Sequence, residues 1–244
     1  FKGGTSLSKV FNLIGRFSED IDLILDWRLV SNENPLNIQE SKNKQVKFNE
    51  QINENAKEYI QNELLPIISQ ILSPLCTCII AEDGFSINVR YPNAFDDNYL
   101  RPEILLEIEP LASWLPSYSF EISSFAAQKF PEVFEKTKCS VNTIVAKRTF
   151  WEKATILHHE ANRPEESPMP TRYSRHYYDL AMMVQSEVKN EALADLNLLQ
   201  NVVDFKQKFY PRTWAKYEEA IPGTLKLLPP EFRLDSLEKD YKAM

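Results

Sequence analysis

Leu7, Val10, Phe11 and Ile14 recur at helical spacing after the small-residue turn Lys2-Gly3-Gly4-Thr5-Ser6, and predict a helix from Leu7 to Ile14. Glu19-Asp20-Ile21-Asp22-Leu23-Ile24-Leu25 then alternates acidic and apolar, the pattern of a half-buried strand with Ile21 and Leu23 toward the core. Asp26 to Lys44, rich in Asn, Ser, Glu and Lys, reads as a surface insertion. Val46, Phe48, Ile52, Ala56, Ile60, Leu64 and Leu65 predict a long amphipathic helix over 45–72, bent or broken near Pro66.

The period then changes to two. Thr77–Glu82, Phe85–Tyr91 and Ile104–Glu109 read as strands, with Asp83-Gly84 as a hairpin turn between the first two. Ser117–Ser124 is expected to extend the sheet at its edge, and Val141–Val145 to add another short strand. Helical spacing returns in Arg148–Glu160, Tyr173–Val184 and Glu191–Tyr210, with a proline-rich break over 163–171 and short helices expected over 213–220 and 231–242. The expected fold class is α+β: a mixed sheet with helices over 1–137, followed by a mainly helical half over 138–244.

Of the 244 residues, 43% are hydrophobic, enough for a packed core. No run of 18 apolar residues and no charged leader before an apolar segment occurs, so an intracellular, cytoplasmic protein is expected. Phe1 is not a methionine and FKGG reads as the end of a strand, so sequence before it is expected. Cys76, Cys78 and Cys139 read as structural thiols, and His158-His159-Glu160 lacks the second histidine of a zinc-binding HExxH helix. A net charge of −7 argues against a surface that coats nucleic acid throughout, while leaving room for a local basic cleft.

The first 25 residues carry the chemistry. Glycines let a backbone lie close to a phosphate, and a helix starting there aims N–H groups at the same anion. Asp20 and Asp22, at i and i+2 of a strand, project from one face roughly 7 Å apart and can both reach divalent metals beside that phosphate. Either feature alone is an ordinary turn or a solvated strand edge; in this order, 15 residues apart, they point to phosphate chemistry.

Gly3-Gly4 followed by Asp20-x-Asp22 resembles the first motif of the nucleotidyltransferase superfamily. The fuller string KGGTSLSK…RFSEDIDL is similar to that of AbiEii-type nucleotidyltransferase toxins, the enzymatic halves of type IV toxin–antitoxin and abortive-infection systems. Leu105-Leu106-Glu107-Ile108-Glu109, and Glu152-Lys153-Ala154 followed by Arg175-His176-Tyr177-Tyr178-Asp179-Leu180, extend the resemblance over about residues 1 to 185.

The resemblance implies transfer of nucleotide from an NTP with Mg²⁺ or Mn²⁺ as cofactor. Two metals in such chemistry are held by about three carboxylates. Asp20 and Asp22 supply two; the third is expected from Glu107, with Glu109 on the same strand face as its substitute. Lys153 is assigned to the nucleotide phosphates and Asp179 to orienting that lysine or the nucleoside, against the plain alternative of a surface salt bridge. Gly3, Gly4, Thr5, Ser6, Lys9 and Arg16 complete the expected nucleotide-binding set, Thr5 and Ser6 either donating to a phosphate or capping the helix. Arg172 and Arg175 are further phosphate candidates, whereas Trp151, Tyr177 and Tyr178 read as core aromatics before stacking ones.

The leading expectation is thus a metal-dependent nucleotidyltransferase toxin with an RNA acceptor, such as a tRNA 3′ end, and a cognate antitoxin as partner. Its site is expected in a cleft between the two halves, with Asp26–Lys44 suited to a lid. A metal-dependent phosphatase or nuclease using the same carboxylates, and a nucleotide-sensing binding protein, are the alternatives. Pyrophosphate release separates the first from both.

Overall fold

The computed structural model describes residues 1–18, 20–37, 39–92 and 103–244, so Glu19 of the acidic strand and Ile38 of the predicted insertion lie outside the described residues. It is a mixed α+β fold dividing into two compact units. The first comprises Phe1–Val10, Arg16–Leu115 and Ser119–Thr143; the second comprises Phe11–Gly15, Pro116–Tyr118 and Ile144–Met244.

In the first unit, helix α1 (Gly3–Lys9) leads into strand β1 (Asp20–Ile24). The helix predicted over 7–14 therefore starts four residues early, inside the glycine turn, and ends at Lys9. Asn12, with φ +51°, turns the chain out of helical conformation. Helix α2 (Lys42–Tyr59) passes through a π-turn (Ile60–Leu64) into α3 (Leu65–Leu72). The break falls just ahead of Pro66, whose nitrogen has no hydrogen to continue the α-helical ladder.

Strands β2 (Thr77–Ile80), β3 (Ser86–Arg90) and β4 (Glu103–Glu109) join β1 in a four-stranded sheet of order β1-β4-β3-β2, with β1 and β4 parallel and the other pairs antiparallel. The β2–β3 turn forms as the sequence predicts: Gly84 has φ +75°, and the Asp83 carboxylate accepts from the backbone N–H groups of Phe85 and Ser86. Across the sheet, Ile21, Leu106 and Ile87 share one face, as do Leu23 and Ile108, with Ile87 and Ile108 buried. The opposite face carries Asp22, Glu107 and Ser86 in one row.

Strands β5 (Ser117–Ile122) and β6 (Cys139–Ile144) do not extend that sheet; they pair with each other in a separate ribbon. Between them lies α4 (Phe125–Lys129), a short helix capped by Ser124 that the periodicity did not predict. All three cysteines are free; Cys76 and Cys78 are half-buried and Cys139 is exposed.

The second unit is built on α5 (Ala146–Ala161), against which α6 (Ser174–Val184), α7 (Val188–Leu193) and α8 (Leu196–Phe209) pack, with α9 (Leu234–Ala243) on α6. Phe150, Trp151, Ala154 and Leu157 of α5 are buried with Leu180, Met183, Ala192, Leu199 and Val202. Trp151 is core, its indole N–H donating to the Ala192 carbonyl at 3.2 Å. The single helix predicted over 191–210 is two, because the Asp195 side chain caps α8 by accepting from the N–H of Leu198. The expected helix over 213–220 is a pair of 3₁₀ turns. Among the described residues no helix is long and apolar enough to cross a membrane.

Candidate functional site

Two groups of predicted residues form clusters, one in each unit. In the first, the glycine turn is fastened to the acidic strand. The backbone N–H of Lys2 donates to the Asp22 carbonyl at 3.1 Å, and the Thr5 hydroxyl donates to the Asp20 carbonyl. These bonds, two strand residues apart, fix α1 alongside β1. The Ser6 hydroxyl is buried and donates to the Gly3 carbonyl at 2.8 Å. Both hydroxyl protons are thus directed at backbone oxygens.

Each glycine is required by what lies against it. Gly3 has φ +73°, and a Cβ there would sit 1.9 Å from Asp22 Oδ2. A Cβ on Gly4 would lie 2.8 Å from both Arg16 Nη2 and Ser18 Oγ. The absent Cβ atoms let the Asp22 carboxylate and the Arg16 guanidinium close on the same turn. Arg16 Nη1 also donates to the Phe17 carbonyl at 3.1 Å. Lys9, at the far end of α1, has its ammonium over the Phe125 ring, 2.8 Å from the centroid, and burial pushes its pKa down.

The parallel register sets Asp22 beside Glu107, and Ile24 beside Glu109. Asp20, Asp22 and Glu107 therefore lie on one face of two adjacent strands. Glu109, the substitute third acid, is in an ion pair with Lys2 at 2.6 Å. Asp20, Asp22 and Glu107 suit a divalent cation in donor chemistry, all three being hard carboxylate oxygens, and Gly3 leaves the space that Asp22 occupies. Among the described residues, no three His, Cys, Asp or Glu side chains converge closely enough to grip an ion by themselves.

The second cluster lies between α5 and α6. Lys153 Nζ stands 2.8 Å from Asp179 Oδ2, with the lysine side chain 8% and the aspartate 0% exposed. The plain alternative of a surface salt bridge does not describe this pair. Besides Lys153, α5 buries Arg148, Thr149 and Glu160, an unusual density of polar groups for a central helix. Asp179 is three residues after His176 on α6, and His176 Nδ1 lies 3.1 Å from Lys153 Nζ. His176 belongs to the RHYYDL string but received no role from the sequence; its i, i+3 spacing from Asp179 is the signal that places both on one helical face.

Arg172, at φ +62°, uses its backbone N–H to donate to Asp240 at 2.6 Å. The Tyr178 hydroxyl accepts from the Gly15 N–H at 3.3 Å. At the C-terminal end of α5, His158 is fully buried; its Nδ1 accepts from the Lys226 N–H and its Nε2 donates to the Lys216 carbonyl. Its neighbour His159 packs against Trp214 with centroids 4.4 Å apart and planes tilted by 38°, and burial followed by nearby Lys206, Arg163 and Arg212 lowers its pKa to about 4.

Comparison with protein families finds one model, described as nucleotidyl transferase AbiEii toxin, type IV TA system, that matches residues 1–244. Comparisons with curated proteins and with solved structures find no match.

Proposed function

The chain belongs to the AbiEii nucleotidyl transferase toxin family of type IV toxin–antitoxin systems, and we propose that it transfers nucleoside monophosphate from an NTP to a hydroxyl of RNA, with Mg²⁺ or Mn²⁺ as cofactor. A tRNA 3′ end is the first acceptor to test, and the cytoplasm, where NTPs and tRNA meet, is the expected place of action. Family membership also implies a cognate antitoxin as partner.

The observation that carries this reading is the register of Asp22 with Glu107 beside the Gly3 turn. In the proposed reaction the acceptor oxygen attacks the α-phosphorus and pyrophosphate departs. Asp20, Asp22 and Glu107 would hold the cation, which supplies charge neutralisation for the triphosphate and polarises the attacking hydroxyl. Water and phosphate oxygens would complete its coordination, as is usual for Mg²⁺. Gly3, Gly4 and Arg16 would line the phosphates, with Thr5 and Ser6 holding the turn in shape. Lys153 would bind the triphosphate as a cation, and Asp179, 2.8 Å from its Nζ, would hold that ammonium in place.

The test is incubation of the purified chain with each labelled NTP, Mg²⁺ or Mn²⁺, and total cellular RNA, with Asp22→Ala as control. Transfer of label with release of pyrophosphate, lost in Asp22→Ala, is expected. Phosphate release or RNA cleavage without transfer would favour the phosphatase or nuclease reading, and binding without turnover the nucleotide sensor.

A further inference from the structure

We propose that His176 is a positioning residue for Lys153, fixing the direction in which its ammonium is presented. The inference rests on the assignment of Lys153 to the NTP phosphates. Nζ lies 2.8 Å from Asp179 Oδ2 and 3.1 Å from His176 Nδ1. An ammonium has donors only, so Nδ1 is the acceptor, and the imidazole is neutral with its proton on Nε2.

The two partners do different things. A carboxylate holds a lysine as a point charge at the end of a flexible four-carbon stem, and the ammonium can swing about it. A second acceptor from a fixed ring removes much of that freedom. The His176 ring is itself held: Tyr173 meets it edge to face, with centroids 4.7 Å apart and planes at 74°. His176 and Asp179, three residues apart on α6, therefore form a two-point seat into which α5 delivers Lys153. Filling the space beside Tyr173 requires only a flat ring; holding Lys153 requires a lone pair at the Nδ1 position.

The experiment uses the full chain with Mg²⁺, tRNA and whichever of the four NTPs the wild type uses best. His176→Phe keeps the ring and removes the lone pair. It is expected to raise KM for the NTP about three- to tenfold, the size of one hydrogen bond, with a smaller change in kcat and little change in melting temperature. His176→Asn, whose Oδ1 falls near the place of Nδ1, is expected to restore most of the affinity. An unchanged KM in His176→Phe, with transfer lost in Lys153→Ala, overturns the positioning role and leaves the lysine assignment standing. Full transfer in Lys153→Ala removes the lysine assignment and the inference with it, as does a wild type that uses none of the four NTPs. Should His176→Phe melt early, His176→Gln gives the contrast instead, because its carbonyl reaches the Nε2 position; equal KM in the Gln and Asn variants overturns the proposal.

Discussion

Gly3 lacks a side chain where Asp22 needs room: a Cβ on Gly3 would stand 1.9 Å from Asp22 Oδ2, at a backbone φ of +73°. The glycine turn and the acidic strand are therefore one device rather than two neighbouring motifs. Gly3→Ala is expected to cost about 1–2 kcal/mol of stability from the left-handed backbone alone. The carboxylate can rotate away from the new methyl group, so the larger loss is expected in transfer. Urea unfolding and a transfer assay on the same preparation check this; a variant as active as wild type would separate Asp22 from the turn.

The β1–β4 register distinguishes two acids that sequence left interchangeable. Glu107 is beside Asp22, whereas Glu109 is beside Ile24 and paired with Lys2 at 2.6 Å. Glu107→Gln is expected to lower transfer by about 10²-fold or more, the effect of losing a few kcal/mol of charge stabilisation. Glu109→Gln is expected to change stability by less than about 1 kcal/mol, because its pair with Lys2 is partly exposed. Comparable loss of turnover in both variants would remove the distinction.

These two relationships also mark where sequence stops being informative. The alternation of Asp20-Ile21-Asp22-Leu23 and the Asp83-Gly84 turn are local patterns, and both elements form where expected. The start of α1 was missed because two glycines disfavour a helix on propensity, while the Lys2–Asp22 and Thr5–Asp20 bonds that hold its first turn come from a strand 15 or more residues away. Register between parallel strands more than 80 residues apart leaves no local trace at all. The Lys153–Asp179 pair was legible through family resemblance; its burial was not, since α5 also buries Arg148, His158 and Glu160, which periodicity assigns to a solvated face. His176 stood in plain view, yet its role depends on where α5 places Lys153.

The Lys153–Asp179 pair should separate stability from activity. Asp179→Asn removes the negative charge 2.8 Å from a buried ammonium and is expected to destabilise the chain by about 3–5 kcal/mol. Lys153→Met combined with Asp179→Leu removes both charges from the same space, and stability is expected to recover to within a few kcal/mol of wild type or better. Transfer should stay lost in the double variant. Denaturant unfolding with activity in parallel reads both; an active double variant would reduce the pair to a packing element.

Acidification from pH 6.5 should weaken the second unit through its buried histidines. His158 is held neutral by burial, and its Nδ1 accepts from the Lys226 N–H. His159 is pushed to about 4 by burial first and then by Lys206, Arg163 and Arg212. For a group whose folded pKa lies below its unfolded value of 6.5, both states are neutral above pH 6.5 and the full stability is present. As pH falls from 6.5 toward 4, the unfolded chain takes up protons that the folded chain refuses, and stability is lost across that window. His159 is partly exposed, so its share is on the order of 1–2 kcal/mol after solvent screening. Burial pushes the Asp240 carboxyl up, but hydrogen bonds from Ser174 and the Arg172 N–H outweigh it and hold the pKa below its ordinary 3.8, so its contribution is lost only at lower pH. Urea unfolding at pH 7.5, 6, 5 and 4.5 is expected to give a falling stability with a shallower slope in His159→Phe. An identical slope in that variant would remove His159 as the source of the effect.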